Sequence, residues 1–359
     1  VKIGLVGRPG TGKTTVFTLL TGARVAPSRF EPGRPTLHAG VARMPDPRLE
    51  RLAELVRPKK VTPVALEVVD VAGLVRGDRS ALLEVQELRT ADALLHVVRG
   101  FADPVHGAPT PRADIEEFET ELVLADLEVA ERRLERLVVS LKRRRTEAEV
   151  REHELLGRLR RALEQGTPLR AVSLTAEEQR AVRGFTFLSQ KPVLHCVNVD
   201  EAAAPEGPRV LHRFGLEDLA ARPHTRLTWV SAVIEAEVAR LGPEEQRAFA
   251  AELGLESLGR DRLLRECFAL LGLVSFFTVN DEEVRAWAVP AGTRAQDAAG
   301  AVHSDMARGF IRAEVARWDE LVAAGSFAEL RARGHLRLEG KEYPVQDGDV
   351  CLFRFHVSR

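Results

Sequence analysis

The chain opens on a short apolar run, residues 1–6, of strand length, and then changes period: Val16, Phe17, Leu19 and Leu20 open a helix. Residues 64–69, 90–98, 192–197 and 227–230 are further apolar runs of strand length. By composition they read as buried core strands of an α/β pattern. Between the second and third of these the pattern changes again. Leu127, Ala130, Leu134, Leu137 and Leu141, then Leu156, Leu159 and Leu163, recur at three- and four-residue steps, with Glu and Arg between them. That spacing predicts an antiparallel helical hairpin or coiled coil over residues 115–166, turning near Arg145 to Glu149. Residues 258–271 read as a helix that closes the α/β pattern. Beyond them lies a β-rich module, with strands at 283–289, 310–315 and 350–355 and a helix at 295–306, which suggests a small α+β domain of β-grasp type.

Composition narrows the class. The 359 residues exceed one ordinary core, and 45% hydrophobic with 29% charged residues describes a globular protein. A net charge of −1 means that any contact with nucleic acid rests on a local patch. Cys196, Cys267 and Cys351 form no close pair, which argues against a disulfide framework or zinc site and for a reducing compartment. No apolar run approaches membrane-spanning length, and the opening residues read as a core strand rather than a secretory leader. The chain is therefore expected in the cytoplasm, acting as a monomer.

The chemistry concentrates where the first strand gives way to the first helix. Gly7-Arg8-Pro9-Gly10-Thr11-Gly12-Lys13-Thr14 has the spacing of a phosphate-binding P-loop, in the strand–loop–helix setting that motif requires. Glycines let backbone N–H groups converge on phosphate oxygens, and the helix that follows adds its positive end. Lys13 is expected at the β- and γ-phosphates, with Gly10, Thr11 and Thr15 in the same cradle, and Thr14 offers a hydroxyl to Mg²⁺. Asp70-Val71-Ala72-Gly73 follows an apolar strand: Asp70 can hold Mg²⁺ through water, and Gly73 leaves its N–H free to approach the γ-phosphate. Thr36 lies between the two motifs, where a switch threonine closes on Mg²⁺. Leu74 stands where many GTPases carry a water-orienting glutamine, so no catalytic side chain is assigned. His96, inside a strand, is expected to be a satisfied core histidine. The strand 192–197 runs into Asn198-Val199-Asp200-Glu201, a departure from the guanine-reading Asn-Lys-x-Asp, and Ser231-Ala232 after the next strand is expected beside the base. Lys142, Arg143, Arg144 and Arg145 form either a solvated charged face or a basic tip for rRNA or another polyanion.

These motifs together resemble the YchF/Obg-like ATPases, a branch of the Obg-related P-loop proteins, over essentially the whole chain. The likeness rests on the phosphate loop, on Met44-Pro45-Asp46-Pro47-Arg48-Leu49, on Val69-Asp70-Val71-Ala72-Gly73-Leu74-Val75, on Leu124-Ala125-Asp126-Leu127-Glu128 and on Asn198 to Glu201. The end of the chain, with Gly309-Phe310-Ile311-Arg312-Ala313-Glu314-Val315 and Gln346-Asp347-Gly348-Asp349-Val350, looks like the family's TGS domain. The resemblance implies a P-loop nucleotide-binding domain over 1–113 and 190–272, an inserted coiled-coil domain over 114–189 and a TGS-like domain over 273–359. It also implies slow hydrolysis of ATP in preference to GTP, Mg²⁺ as cofactor and association with ribosomes. Two departures stand out: Gly10 replaces an asparagine that in related proteins helps coordinate a monovalent cation, and the segment after Gly73 is short. A nucleotide-sensing binding protein with negligible hydrolysis and a GTP-specific GTPase remain the alternatives.

Overall fold

The computed structural model describes residues 1–23, 36–72, 86–105, 107–252 and 258–356. They fall into two compact units, Val1–Ala42 with Glu67–Leu270, and Arg43–Leu66 with Leu271–Arg359.

The first unit is built on a six-stranded sheet in the order β2-β4-β1-β5-β6-β7. Its strands are β1 (Lys2–Val6), β2 (Thr36–Arg43), β4 (Ala65–Ala72), β5 (Ala93–Arg99), β6 (Val193–Asn198) and β7 (Thr225–Val230). From β4 to β7 every neighbouring pair is parallel. Every residue of β5 and of β6 is buried, as the unbroken apolar runs require of central strands with both faces covered. α1 (Lys13–Thr21) follows β1, and the helix Gly259–Leu270 packs on β6 and β7.

The helix Pro111–Arg143, 33 residues long, packs on β5 near its start and pairs further along with the helix Glu147–Glu164. Ala130, Leu134 and Leu137 meet Leu155, Leu156, Leu159 and Leu163 along the expected seam. Arg133 locks the pair with two bonds of 2.8 Å to the Glu152 carboxylate. The hairpin turns at Arg144 to Thr146, where Thr146 caps the returning helix by accepting from Glu149 N–H. Lys142, Arg143, Arg144 and Arg145 are all exposed there. The return path is tied down by Asp126, fully buried, which accepts from Leu188 N–H at 2.8 Å and Ser189 N–H at 2.6 Å.

The second unit holds a sheet in the order β11-β10-β12-β8-β9-β3. The strands are β3 (Lys60–Thr62), β8 (Leu273–Val279), β9 (Glu283–Pro290), β10 (Phe310–Arg317), β11 (Arg337–Glu339) and β12 (Asp349–Phe355). The helix Ala295–Val302 meets it through Ala295, Ala298 and Ala299, small residues on one face that let helix and sheet approach closely. Here the expected boundary of 1–113 for the first domain is corrected: Arg43–Leu66 belongs to the second unit. β3 satisfies the free edge of β9 by parallel pairing, Lys60 with Glu283 and Thr62 with Arg285. α2 (Pro47–Val56), capped by Asp46, buries Leu49 and Leu52 and lies against β9, β8 and the helix Trp318–Ala324. Its Arg48 joins Asp46 and Asp347 and sits 5.3 Å over the Phe277 ring. Among the described residues no helix is long and apolar enough to cross a membrane.

A candidate nucleotide site at the carboxyl ends of the parallel strands

The loop after β1 needs its glycines. Gly7 has φ 156°, and a Cβ there would lie 2.6 Å from the carbonyl oxygen of Val97. Gly12, φ 84°, caps α1 with no side-chain bond, and a Cβ would meet Asn198 Nδ2 at 2.2 Å. The first N–H groups of α1 thus have no capping side chain and are free to face an anion. Thr11 stiffens the loop from within, its hydroxyl donating to the Arg8 carbonyl at 2.9 Å. From outside, the Arg8 guanidinium pairs with Asp114 at 2.8 Å and with Glu117, both on the first turns of the helix Pro111–Arg143.

Lys13 is buried, and its ammonium donates to Asp70 Oδ1 at 2.5 Å and to the Val71 carbonyl at 2.6 Å. Burial pulls its pKa below the ordinary lysine value, against the opposing pull of Asp70. Asp70 is fully buried within β4, two residues before the strand ends rather than at its tip. Its second oxygen, Oδ2, has no hydrogen-bond partner and stands 3.7 Å from His38 Nδ1, which also has none. That orphaned carboxylate oxygen is the kind of donor Mg²⁺ takes, and Thr14, next in the chain to Lys13, is exposed with its hydroxyl available as a second oxygen. The side chain of Thr36, and Gly73 with Leu74, lie outside the described residues.

Asn198 joins the phosphate loop to the loops beyond β6 and β7. Its Nδ2 donates to the Thr11 carbonyl at 2.9 Å, and its Oδ1 accepts from Ala232 N–H at 3.0 Å. A cavity of about 720 Å³ opens beside it, lined by Gly10, Gly12, Thr15, Asn198, Val199, Glu201 and Ala232, all expected from sequence. Phe101, Asp200, Ala202 and Val233 complete the lining and were not expected. Phe101 lies two residues beyond the end of β5, and that position beside the P-loop strand was the signal available for it. Val199 lines the cavity with its side chain turned to the core: it is 1% exposed and packs with Val98, Val197 and Trp229. Glu201 is exposed at the cavity. Ser231 is buried, and its hydroxyl has no partner.

Under the loop runs a buried polar chain. His195 Nε2 donates to Glu119 at 3.1 Å, which leaves its Nδ1 to accept from His96 Nδ1 at 3.0 Å. Arg170 pairs with the other Glu119 oxygen. Burial pushes both histidines below their ordinary pKa, which keeps them neutral in this arrangement. Burial would raise the Glu119 carboxyl, but the His195 bond and Arg170 prevail and hold it at about 2. His96 is thus the satisfied core histidine expected, stacked on Phe118 with ring centroids 4.0 Å apart.

A loop whose backbone only glycine can follow, feeding an uncapped helix beside a strand-borne aspartate, serves a phosphate chain, and on this sheet it defines the P-loop nucleoside-triphosphatase class. Residues 2–133 match the 50S ribosome-binding GTPase family, and residues 273–356 match the YchF GTPase C-terminal family, described as a protein of unknown function (DUF933). The ribosome-binding ATPase YchF of Bacillus subtilis is 40% identical over 364 aligned residues, 99% of each chain. That of Haemophilus influenzae is 39% identical over the same shares. The solved structure of the Schizosaccharomyces pombe YchF GTPase superposes with TM-score 0.83 at 26% identity, covering 99% of this chain and 97% of that one. The chain belongs to the YchF family and is a nucleotide hydrolase.

Proposed function

We propose that the chain binds ATP with Mg²⁺, hydrolyses it slowly, and uses its nucleotide state to govern binding to the ribosome through RNA. The observation that carries this reading is the pair of hydrogen bonds of Asn198, donated to Thr11 and accepted from Ala232, which links the phosphate loop to the base-side cavity. Gly7 to Thr15 hold the phosphates, with Gly73 at the γ-phosphate. Asn198, Val199, Glu201, Ser231 and Ala232 surround the base. Thr14, Thr36 and Asp70 would hold Mg²⁺, which when bound neutralises charge on the β- and γ-oxygens.

Glu201 favours adenine by default. Guanine needs a carboxylate that accepts from N1–H and N2–H₂ together, and an acid one methylene longer, exposed at the cavity rim, is not fixed for that task. Slow turnover follows from Leu74, which cannot orient water. A chain that senses nucleotide with negligible hydrolysis is the second reading, favoured by that same leucine. The exposed Lys142, Arg143, Arg144 and Arg145 at the hairpin turn supply a polyanion contact, and the relatives' names give the ribosome as its source. Three buried free thiols accord with a reducing cytoplasm. Equilibrium binding of ATP and GTP with Mg²⁺, followed by single-turnover hydrolysis, tests the proposal. ATP should bind at least as well as GTP, and the partner-free rate should stay below roughly 1 s⁻¹. Strong GTP selectivity would overturn the base assignment.

A further inference from the structure

We infer that Arg99 is the positioning residue for the base-side wall of the cavity, acting through Phe101. This rests on a purine occupying that cavity, as proposed above. Arg99 is the last residue of β5 and is 8% exposed. Its Nη1 donates to the carbonyls of Phe101 at 2.6 Å and Gly107 at 2.8 Å, and its Nη2 to that of Ala108 at 3.1 Å. One buried cation thus gathers three carbonyls from both ends of a segment that lacks regular structure. Asp103 and Gly107 pair backbone to backbone at 3.1 and 2.7 Å and close the turn between those ends.

The residue between Arg99 and Phe101 fixes where this segment starts. Gly100 N–H donates to the Asn198 carbonyl at 2.7 Å, and a Cβ on Gly100 would lie 2.6 Å from Val197 Cγ1. The chain therefore crosses directly against the strand end that carries Asn198 and Val199. Phe101 then lines the cavity together with Asn198, Glu201 and Val233. The guanidinium holds the Phe101 carbonyl, and so sets where the ring stands. The three carbonyls it holds belong to residues 101–108, the segment that reaches the cavity on its base side, so its effect is expected at the base.

Tripolyphosphate, a triphosphate without a base, separates the two ends. With Mg²⁺ present, Arg99→Met should weaken ATP by about tenfold, the scale of losing one aromatic face against a base, and leave tripolyphosphate unchanged. Arg99→Lys, which keeps the charge and part of the donor set, should show a smaller loss with the same discrimination, and it carries the test if the methionine variant fails to fold. In a Phe101→Ala background, Arg99→Lys should weaken ATP no further, because its route to the base is gone. Equal losses for ATP and tripolyphosphate, no loss for either, or losses that add fully in the double variant would each overturn the inference. A wild-type protein that binds tripolyphosphate as tightly as ATP would instead remove the base from the cavity, and the proposed base assignment with it.

Discussion

The two ends of the proposed nucleotide site are built on opposite plans. At the phosphate end the chain is paired with itself: Lys13 is buried against Asp70 and the Val71 carbonyl, both within 2.6 Å. At the base end the groups stand open, with Asp200 and Glu201 exposed and Val233 53% exposed beside the cavity. On the proposed reading a phosphate chain would take Lys13 from Asp70, and the carboxylate so released would help hold Mg²⁺. A base has only to enter. The phosphate end would then work by an exchange of partners, which would favour a charged, metal-bound ligand. The base end relies on shape and a few polar groups, and tolerates change more readily.

The largest effect that would break this contrast comes from Lys13→Ala. Triphosphate affinity should fall by ~100-fold, the loss of about 3 kcal/mol for a charge-assisted contact. The same change strands Asp70, which is 0% exposed, so stability should also fall, on the order of 3 kcal/mol. Lys13→Ala with Asp70→Ala should regain stability and not affinity. Calorimetry and urea unfolding report the two separately, and unchanged ATP affinity in the single variant refutes the role of Lys13.

A smaller effect is expected at the open end. Glu201→Asp should shift preference toward GTP by about tenfold, within the range of roughly 1–3 kcal/mol for a restored bidentate base contact. Adding Val199→Lys should extend the shift at a cost in stability, because a residue that is 1% exposed would have to carry a charge to water. Competition binding decides it, and an unmoved ATP-to-GTP ratio in both variants means other residues read the base.

A third effect, on stability first and on affinity only through it, concerns the floor common to both ends. Glu119 is held at about 2 in the folded state, below the ordinary 4.5, so the stability it contributes is present above pH 4.5 and is lost as the pH falls toward 2. Glu119→Gln should flatten that limb, with a difference on the order of 2–3 kcal/mol across it. His96 pairs in register with Val6 on β1, and His195 lies three residues before Asn198, so acid should loosen phosphate and base ends alike. Acid loss of base affinity with phosphate affinity intact would show that the ends do not share this support.

How much of this was legible in the sequence follows the same division. The phosphate loop is a local device, in which spacing, glycines and the flanking strand and helix all lie within a few residues, so Gly7 to Thr15 could be read directly. Asn198 and Ala232 were legible as motifs, but their bonds to one another and to Thr11 depend on how three strands align. Phe101 had only its position just past β5 to mark it, and Arg99 had nothing, because three converging carbonyls leave no pattern along the chain. The strand β3 was missed for a related reason. Lys59 meets Glu282 across 223 residues of sequence, and nothing local in Lys60–Thr62 announces a partner so distant. α2 carried a readable start, Asp46 before Pro47, yet which sheet it would cover was not written near it.

That distance has a consequence for how the protein is made. During synthesis Arg43–Leu66 is complete long before β9, the strand its β3 must join, has been added. Until then Leu49 and Leu52 have no sheet to cover, and β3 has no neighbour. The second unit can only finish last, by a long-range closure of the kind that slows folding and leaves apolar surface exposed to other chains. A chain truncated after residue 270 would carry this orphaned segment permanently, as a ready seed for aggregation.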